Sequence, residues 1–203
     1  MTMKLIETRS APNPRRVRIF LAEKGISVAT EQRELGSLTA SDFTALNAEQ
    51  RVPVLVLDDG TIIAETVAIC RYFEELHPAP ALFGTGAAGK AVVEMWQRRV
   101  ELGLFAHVAH AFRHLHPSMT VMEAPQIASW GEANKPKALE ALAKLDRQLE
   151  SHPFVAGDAY SIADITALVA VDFMRPARIA RPAELVNVER WHKAVSARPS
   201  AAA

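Results

Sequence analysis

The segment 51–73, RVPVLVLDDGTIIAETVAICRYF, admits few folds. It reads as a strand opened by a Val-Pro bond, a tight Asp-Asp-Gly turn, a second strand, and a helix beginning at Glu65-Thr66. Proline at the head of a strand has no N–H to give a ladder, so it suits a sheet edge or a special backbone site. Val52 keeps its own N–H and C=O, and Pro53 can hold them ready for the backbone of a ligand. Further on, Glu65 and Thr66 set a carboxylate, a hydroxyl and free helix N–H groups at one point. A helix N-terminus attracts a carboxylate and Glu65 attracts an ammonium, so the pair suits a zwitterion. The segment is a candidate site for a small peptide.

The chain has 203 residues, enough for one large domain or two small ones with real cores. Its 23 basic and 23 acidic residues balance, which argues against a nucleic-acid partner held by bulk charge. The beginning, MTMKLIETRS, has no apolar run fit for a signal peptide, and no window approaches a membrane span. Cys70 is the only cysteine, so no internal disulfide can form. A soluble, cytoplasmic protein is expected.

The texture changes near residue 80. Before it come a strand at 4–7 and a helix in which Asn13 is the N-cap and Pro14 the favoured first-turn proline. Val17, Phe20 and Leu21 share a face of that helix, with Arg15, Arg16 and Arg18 off it, and Gly25 supplies the stop. A strand at 28–34 and a short helix or turn at 39–46 follow. Strands at 54–57 and 61–63 form a hairpin around Asp59-Gly60, and the helix from Thr66 ends before His77-Pro78. The order is β-α-β-α-β-β-α.

The stretch HPAPALFGTGAAG, rich in proline and glycine, reads as a linker. The expected division is an α/β domain at 1–79, a linker at 80–87 and an all-helical domain at 88–203. Helices are expected at 90–116, stopped by Pro117, and at 134–150, where Leu139, Leu142, Leu145 and Leu149 recur at steps of three and four. A third, at 162–173, is almost wholly apolar, as a helix buried on all sides should be. A fourth, at 184–197, is amphipathic. Before the third helix, Ser161 and Asp164 have the S-x-x-D spacing of a capping box, worth roughly 1 kcal/mol on a surface helix. As a helix enters a core such a cap matters more, because orphan donors there cannot turn to water.

Taken together, the element order, the Val-Pro before a hairpin, the Glu-Thr helix start, the linker and the GD-x-x-S-x-A-D motif resemble a cytosolic glutathione S-transferase. The resemblance covers essentially the whole chain. The run Ala11-Pro12-Asn13-Pro14-Arg15-Arg16-Val17 leading into IFLAEKGI is similar to bacterial members. The resemblance implies a thioredoxin-like N-terminal domain that binds glutathione and an all-α C-terminal domain bearing the second-substrate pocket. It also implies a homodimer and a cis peptide at Val52-Pro53. By resemblance Val52 pairs with the cysteinyl backbone, Glu65 and Thr66 bind the γ-glutamyl end, and Gln50, Arg51 and Pro53 complete the glutathione site. Thr66 is also readable as a helix cap, and Arg51 as a solvated charge.

The group that activates the thiol is open. A free thiol of pKa about 8.5 is only about 3% thiolate at pH 7. Lowering that value by about two units takes roughly 2.7 kcal/mol of preferential stabilisation of the anion. Two or three hydrogen bonds at a helix N-terminus can supply it. The family has such donors in the loop after the first strand, here Ser10-Ala11-Pro12-Asn13. Ala11 falls where many relatives carry serine or threonine. Ser10 comes one residue early, and Asn13 matches an asparagine of a disulfide-reducing bacterial subgroup. Ser10 and Asn13 are both catalytic candidates, and Ala11 is assigned to the second-substrate pocket.

Cys70 lies within a helix between apolar neighbours and reads as buried and inert. His107, His110 and His114 share a helical face with metal-like spacing, but without cysteine or carboxylate on that face, and no metal is expected. By resemblance this helix lines the cleft between domains, where His107 would touch the second substrate. Trp96 and Phe105 read as core. The expected activity is conjugation of glutathione to a hydrophobic electrophile, in the manner of a detoxification enzyme, with glutathione as co-substrate. Glutathione-dependent reduction of disulfides or peroxides is the alternative, and a non-catalytic binding protein is a third reading.

Overall fold

The structure is a computed structural model that describes residues 3–203. Its contacts divide the chain into two compact units, one reaching Ala81 and the other spanning Leu82–Ala201. In the first unit β1 (Lys4–Glu7), α1 (Pro12–Lys24), β2 (Ala29–Gln32), α2 (Ser41–Thr44), β3 (Val54–Val56), β4 (Ile62–Ala64) and α3 (Thr66–Leu76) follow one another. The sheet order is β2-β1-β3-β4, with β1 and β2 parallel and the other pairs antiparallel. This is the thioredoxin-like arrangement. Leu5, Ile6, Val54 and Leu55 of the sheet, Val17, Ile19 and Phe20 of α1, and Ile69 and Cys70 of α3 are fully buried.

Helix α1 differs from its expected start. Ala11, not Asn13, is the N-cap, so Pro12 takes the first position and Asn13 the second. Either proline suits a first turn, and the structure uses both. Gly25 closes α1 at φ 65°, where its N–H meets Ala22 O and Ile26 N–H meets Leu21 O. Only glycine takes that left-handed conformation cheaply. Arg16, expected off the apolar face, is only 2% exposed.

The second unit holds α4 (Gly86–Val100), α5 (Ala106–Leu115), α6 (Ala128–Glu150), α7 (Ile162–Phe173) and α8 (Val186–Ser196). The expected linker is partly wrong: α4 begins at Gly86, and Leu82 and Phe83 are buried. The stretch expected as one helix at 90–116 is helical from Gly86 to Leu115, and a π-turn at Glu101–Phe105 divides it into α4 and α5. One extra residue in a turn leaves the apolar pattern on either side intact, which hides it from periodicity. Helix α6 starts six residues earlier than expected and carries Pro136 inside it. There α6 runs close to α5, for a Cβ on Gly131 would lie 2.6 Å from Leu115 Cγ.

Helix α7 is buried along its length from Ile162 to Val171. Its capping box is present, and Asp164 does more than cap. One carboxylate oxygen accepts from Val155 N–H and from the Trp191 indole of α8, each at 2.9 Å. The other accepts from the backbone N–H and hydroxyl of Ser161 at 3.0 and 3.1 Å. Among the described residues, no helix is long and apolar enough to cross a membrane.

Candidate active site

Strand register brings the peptide-site residues to one edge. Ile6 pairs with Val54 and Val54 with Ala64, so the end of β1, the start of β3 and the end of β4 meet there. Pro53 and Glu65 lie one step beyond those pairs. The Val52-Pro53 bond is cis, as the resemblance implied. Val52 and Pro53 are buried, whereas Gln50 and Arg51 are half-buried. The turn into this bond is shaped by a residue not anticipated from sequence, Asn47. Its amide donates to Arg51 O at 2.9 Å, its Oδ1 accepts from Glu49 N–H at 3.1 Å, and its C=O accepts from Gln50 N–H at 3.0 Å. Asparagine in a polar turn was the available signal.

Glu65 is the N-cap of α3, with φ 69° and ψ 124°. A non-glycine residue held there costs about 1–3 kcal/mol, and such strain gathers at functional sites. Its side chain makes no cap bond and is exposed, while Thr66 beside it is only 5% exposed. Glu65 C=O accepts from Ile69 N–H at 3.0 Å, so Thr66, Val67 and Ala68 N–H have no acceptor within the helix. The exposed carboxylate of Glu65 and three unused N–H groups thus share the head of α3. Gln50, at φ 54°, is a second left-handed residue of this edge.

The loop between β1 and α1 is held from beneath. Glu7 is 1% exposed and accepts from Arg18 Nη1 at 2.7 Å and Gln32 Nε2 at 2.6 Å. Arg18 also donates to Arg9 O at 3.1 Å, Thr8 Oγ1 donates to Arg33 O at 2.7 Å, and Ala11 N–H donates to Thr8 O at 3.0 Å. A loop fixed at so many points presents its side chains in set directions. Ser10 is exposed, and Ala11 and Asn13 are half-buried. The first turn of α1 is poor in donors. Pro12 and Pro14 have no N–H and Arg15 N–H is used on Ala11 O, leaving the backbone N–H and carboxamide of Asn13. Asn13 Oδ1 accepts from Arg16 Nη1 at 3.1 Å.

In the second unit, His107 lines a cavity of about 920 Å³ with Trp96, Arg99, Leu104, Lys137 and Leu145. Its Nδ1 lies 2.6 Å from Oδ1 of the fully buried Asn134. Trp96, read as core, is instead half-exposed, with the Arg99 guanidinium 4.8 Å from its ring; Phe105 is buried as expected. Of the other histidines, His114 Nδ1 accepts from Ile127 N–H at 3.1 Å and its Nε2 lies 3.7 Å from Glu123. His110 stacks on His114 and packs edge-on against Trp130, and burial, helped by Arg113, lowers its pKa. Among the described residues no cluster suited to a metal ion occurs. Cys70 is fully buried.

A thioredoxin-like unit of residues up to Ala81, followed by an all-helical unit, defines a two-domain architecture of the glutathione-transferase kind. Residues 11–76 match the glutathione S-transferase N-terminal domain family and residues 108–199 the C-terminal domain family. Glutathione S-transferase 2 of Saccharomyces cerevisiae is 36% identical, over 98% of this chain and 87% of that protein. The crystal structure of Gtt2 from that yeast superposes with a TM-score of 0.93 at 37% identity, covering 97% of each chain. That of a glutathione S-transferase domain-containing protein from Marinobacter aquaeolei gives 0.94 at 37% identity, covering 97% and 98%. A maleylacetoacetate isomerase of Rattus norvegicus is 29% identical, over 74% of this chain and 68% of that protein. The chain belongs to the glutathione S-transferase family.

Proposed function

We propose that this protein is a glutathione transferase that binds glutathione, favours its thiolate and adds it to an electrophilic small molecule. The observation that carries the reading is Glu65, an exposed acid held in a costly backbone conformation at the N-cap of α3, where the helix's first N–H groups are unused. That pair suits the ammonium and carboxylate of the γ-glutamyl end, with Thr66 adding a hydroxyl. Val52, held by Pro53, offers its backbone to the cysteinyl part, and Gln50 and Arg51 border the same ligand. Near the sulfur, Asn13 and Ser10 are the proposed catalytic donors. Ala11 and His107 are proposed contacts of the hydrophobic second substrate. We assign glutathione binding to residues 1–79, the second-substrate pocket to residues 88–203, and a homodimer to the assembly.

Retention on immobilised glutathione, followed by turnover of a chloronitrobenzene reporter, tests the reading; a folded protein that is not retained refutes it. Asn13→Ala and Ser10→Ala are each expected to leave glutathione affinity within about threefold, and one of them to lower kcat at least about tenfold, the scale of one lost hydrogen bond to an anion. Full turnover in both would remove the account of thiolate stabilisation. A second reading, reduction of disulfides, is favoured by Asn13 being the main donor at α1. Faster turnover of a small mixed disulfide than of the chloronitrobenzene would select it.

A further inference from the structure

The buried guanidinium of Arg16 has no function in the reading above. It lies one turn along α1 from Asn13, and at this spacing two side chains on a helix face each other. Its contact fixes more than a distance. Arginine carries only donors, so the atom of Asn13 that meets Arg16 Nη1 at 3.1 Å must be the oxygen. The carboxamide is thereby oriented, with its NH₂ group turned away from Arg16. The guanidinium also draws electron density toward Oδ1, which makes the N–H groups at the other end better donors. An asparagine without this contact is free to present its oxygen, which would repel an anion.

The surroundings sharpen this orientation. Pro12 and Pro14 take N–H groups from both sides of Asn13, so besides its own backbone N–H the carboxamide is the donor this turn offers. Arg16 is 2% exposed, so its charge is weakly screened by water. Of the neighbouring arginines, Arg15 is half-buried and Arg18 donates to Glu7.

We propose that Arg16 is a positioning residue for thiolate stabilisation, holding the Asn13 carboxamide so that its NH₂ faces the glutathione sulfur. The inference rests on the proposed glutathione site and assigns the orientation of its donor. Arg16 touches no reacting atom.

The test is the pKa of enzyme-bound glutathione, followed by thiolate absorbance in the ultraviolet, in the wild type, Arg16→Met, Asn13→Ala and the double variant. Arg16→Met is expected to raise the bound-thiol pKa by about one unit, a tenfold loss of thiolate near neutrality, with glutathione affinity within about twofold. Its kcat should fall about tenfold at pH 6.5 and approach the wild-type value near pH 9, once the thiol ionises unaided. The double variant should be no worse than Asn13→Ala, since both changes remove the same hydrogen bond. Arg16→Lys, which keeps a buried cation but loses the planar fork, covers the case in which Arg16→Met does not fold; it should raise the pKa by about half as much. An unchanged bound-thiol pKa in either folded variant overturns the inference and leaves the binding reading standing. Failure of the wild type to bind glutathione overturns the binding reading itself.

Discussion

At the scale of single residues, Glu65 separates backbone from side chain. Its φ of 69° is a conformation that glycine takes at little cost and alanine does not. Glu65→Gly is expected to keep or raise stability, by up to about 1 kcal/mol, while Glu65→Ala, which keeps the Cβ and its strain, leaves it nearly unchanged. Both should weaken glutathione binding, because both remove the carboxylate. Urea unfolding beside glutathione titration reads the two effects. A Glu65→Gly protein that binds as the wild type does would show that the carboxylate has no ligand. Residue chemistry was legible in sequence where it depends on side-chain type, as at Glu65-Thr66. It was illegible where it depends on conformation, since nothing in the letters reveals φ at Gln50 or the hub at Asn47. The burial of Arg16 was hidden for a related reason: periodicity treats every arginine as a solvated charge.

At the scale of elements, α1 and α3 are tied end to end by Lys24. Its side chain is fully buried, 2.5 Å from Glu74 Oε2, and its Nζ also donates to His77 O at 2.7 Å and Pro80 O at 2.5 Å. A cation at the C-terminal end of α3 meets the carbonyls of the C-cap and the chain beyond it, and the negative end of the helix dipole. Lys24→Met should cost about 3 kcal/mol, because it takes a cation from the buried Glu74 and the donor from His77 O and Pro80 O. Chemical denaturation measures it, and a cost under about 1 kcal/mol would show that water enters and solvates Glu74. Elements with a clear period or cap were legible: α7 is as expected, and so are the hairpin and the Gly25 stop. The π-turn and the early start of α6 were not. The early start of α6 lies where Gly131 packs close to Leu115, a tertiary contact that periodicity does not carry.

At the scale of the whole molecule, Asp164 couples stability to pH. Burial pushes its carboxyl up from 3.8 to about 6, against the pull of the Val155 N–H, the Trp191 indole and Ser161. Between those values the native state keeps a proton that the unfolded chain has released. This contribution to stability is therefore full below about pH 4, is lost as pH rises to about 6, and is flat above that. Two units correspond to about 3 kcal/mol. The cost of Asp164→Asn, measured by urea unfolding from pH 4.5 to 7.5, should accordingly shrink as pH rises. A constant cost would mean that four donors keep the carboxylate ionised throughout. The capping box itself was plain in the sequence, but the donors from Val155 and Trp191 reach Asp164 only through the fold.

The two prolines around Asn13 also bear on how such a protein changes over generations. A helix end normally offers several backbone donors, which buffer the loss of any one side chain. Here that redundancy is reduced to the Asn13 backbone N–H, and in the proposed site the side-chain donor that α1 offers the sulfur rests on one codon. Exchange of asparagine for serine, threonine or aspartate, each a single nucleotide away, would rewrite those surroundings. Each of the three suits a helix's first turns, so the fold would scarcely register the change. New sulfur chemistry thus lies within reach of drift at position 13, on a scaffold that need not be rebuilt to receive it.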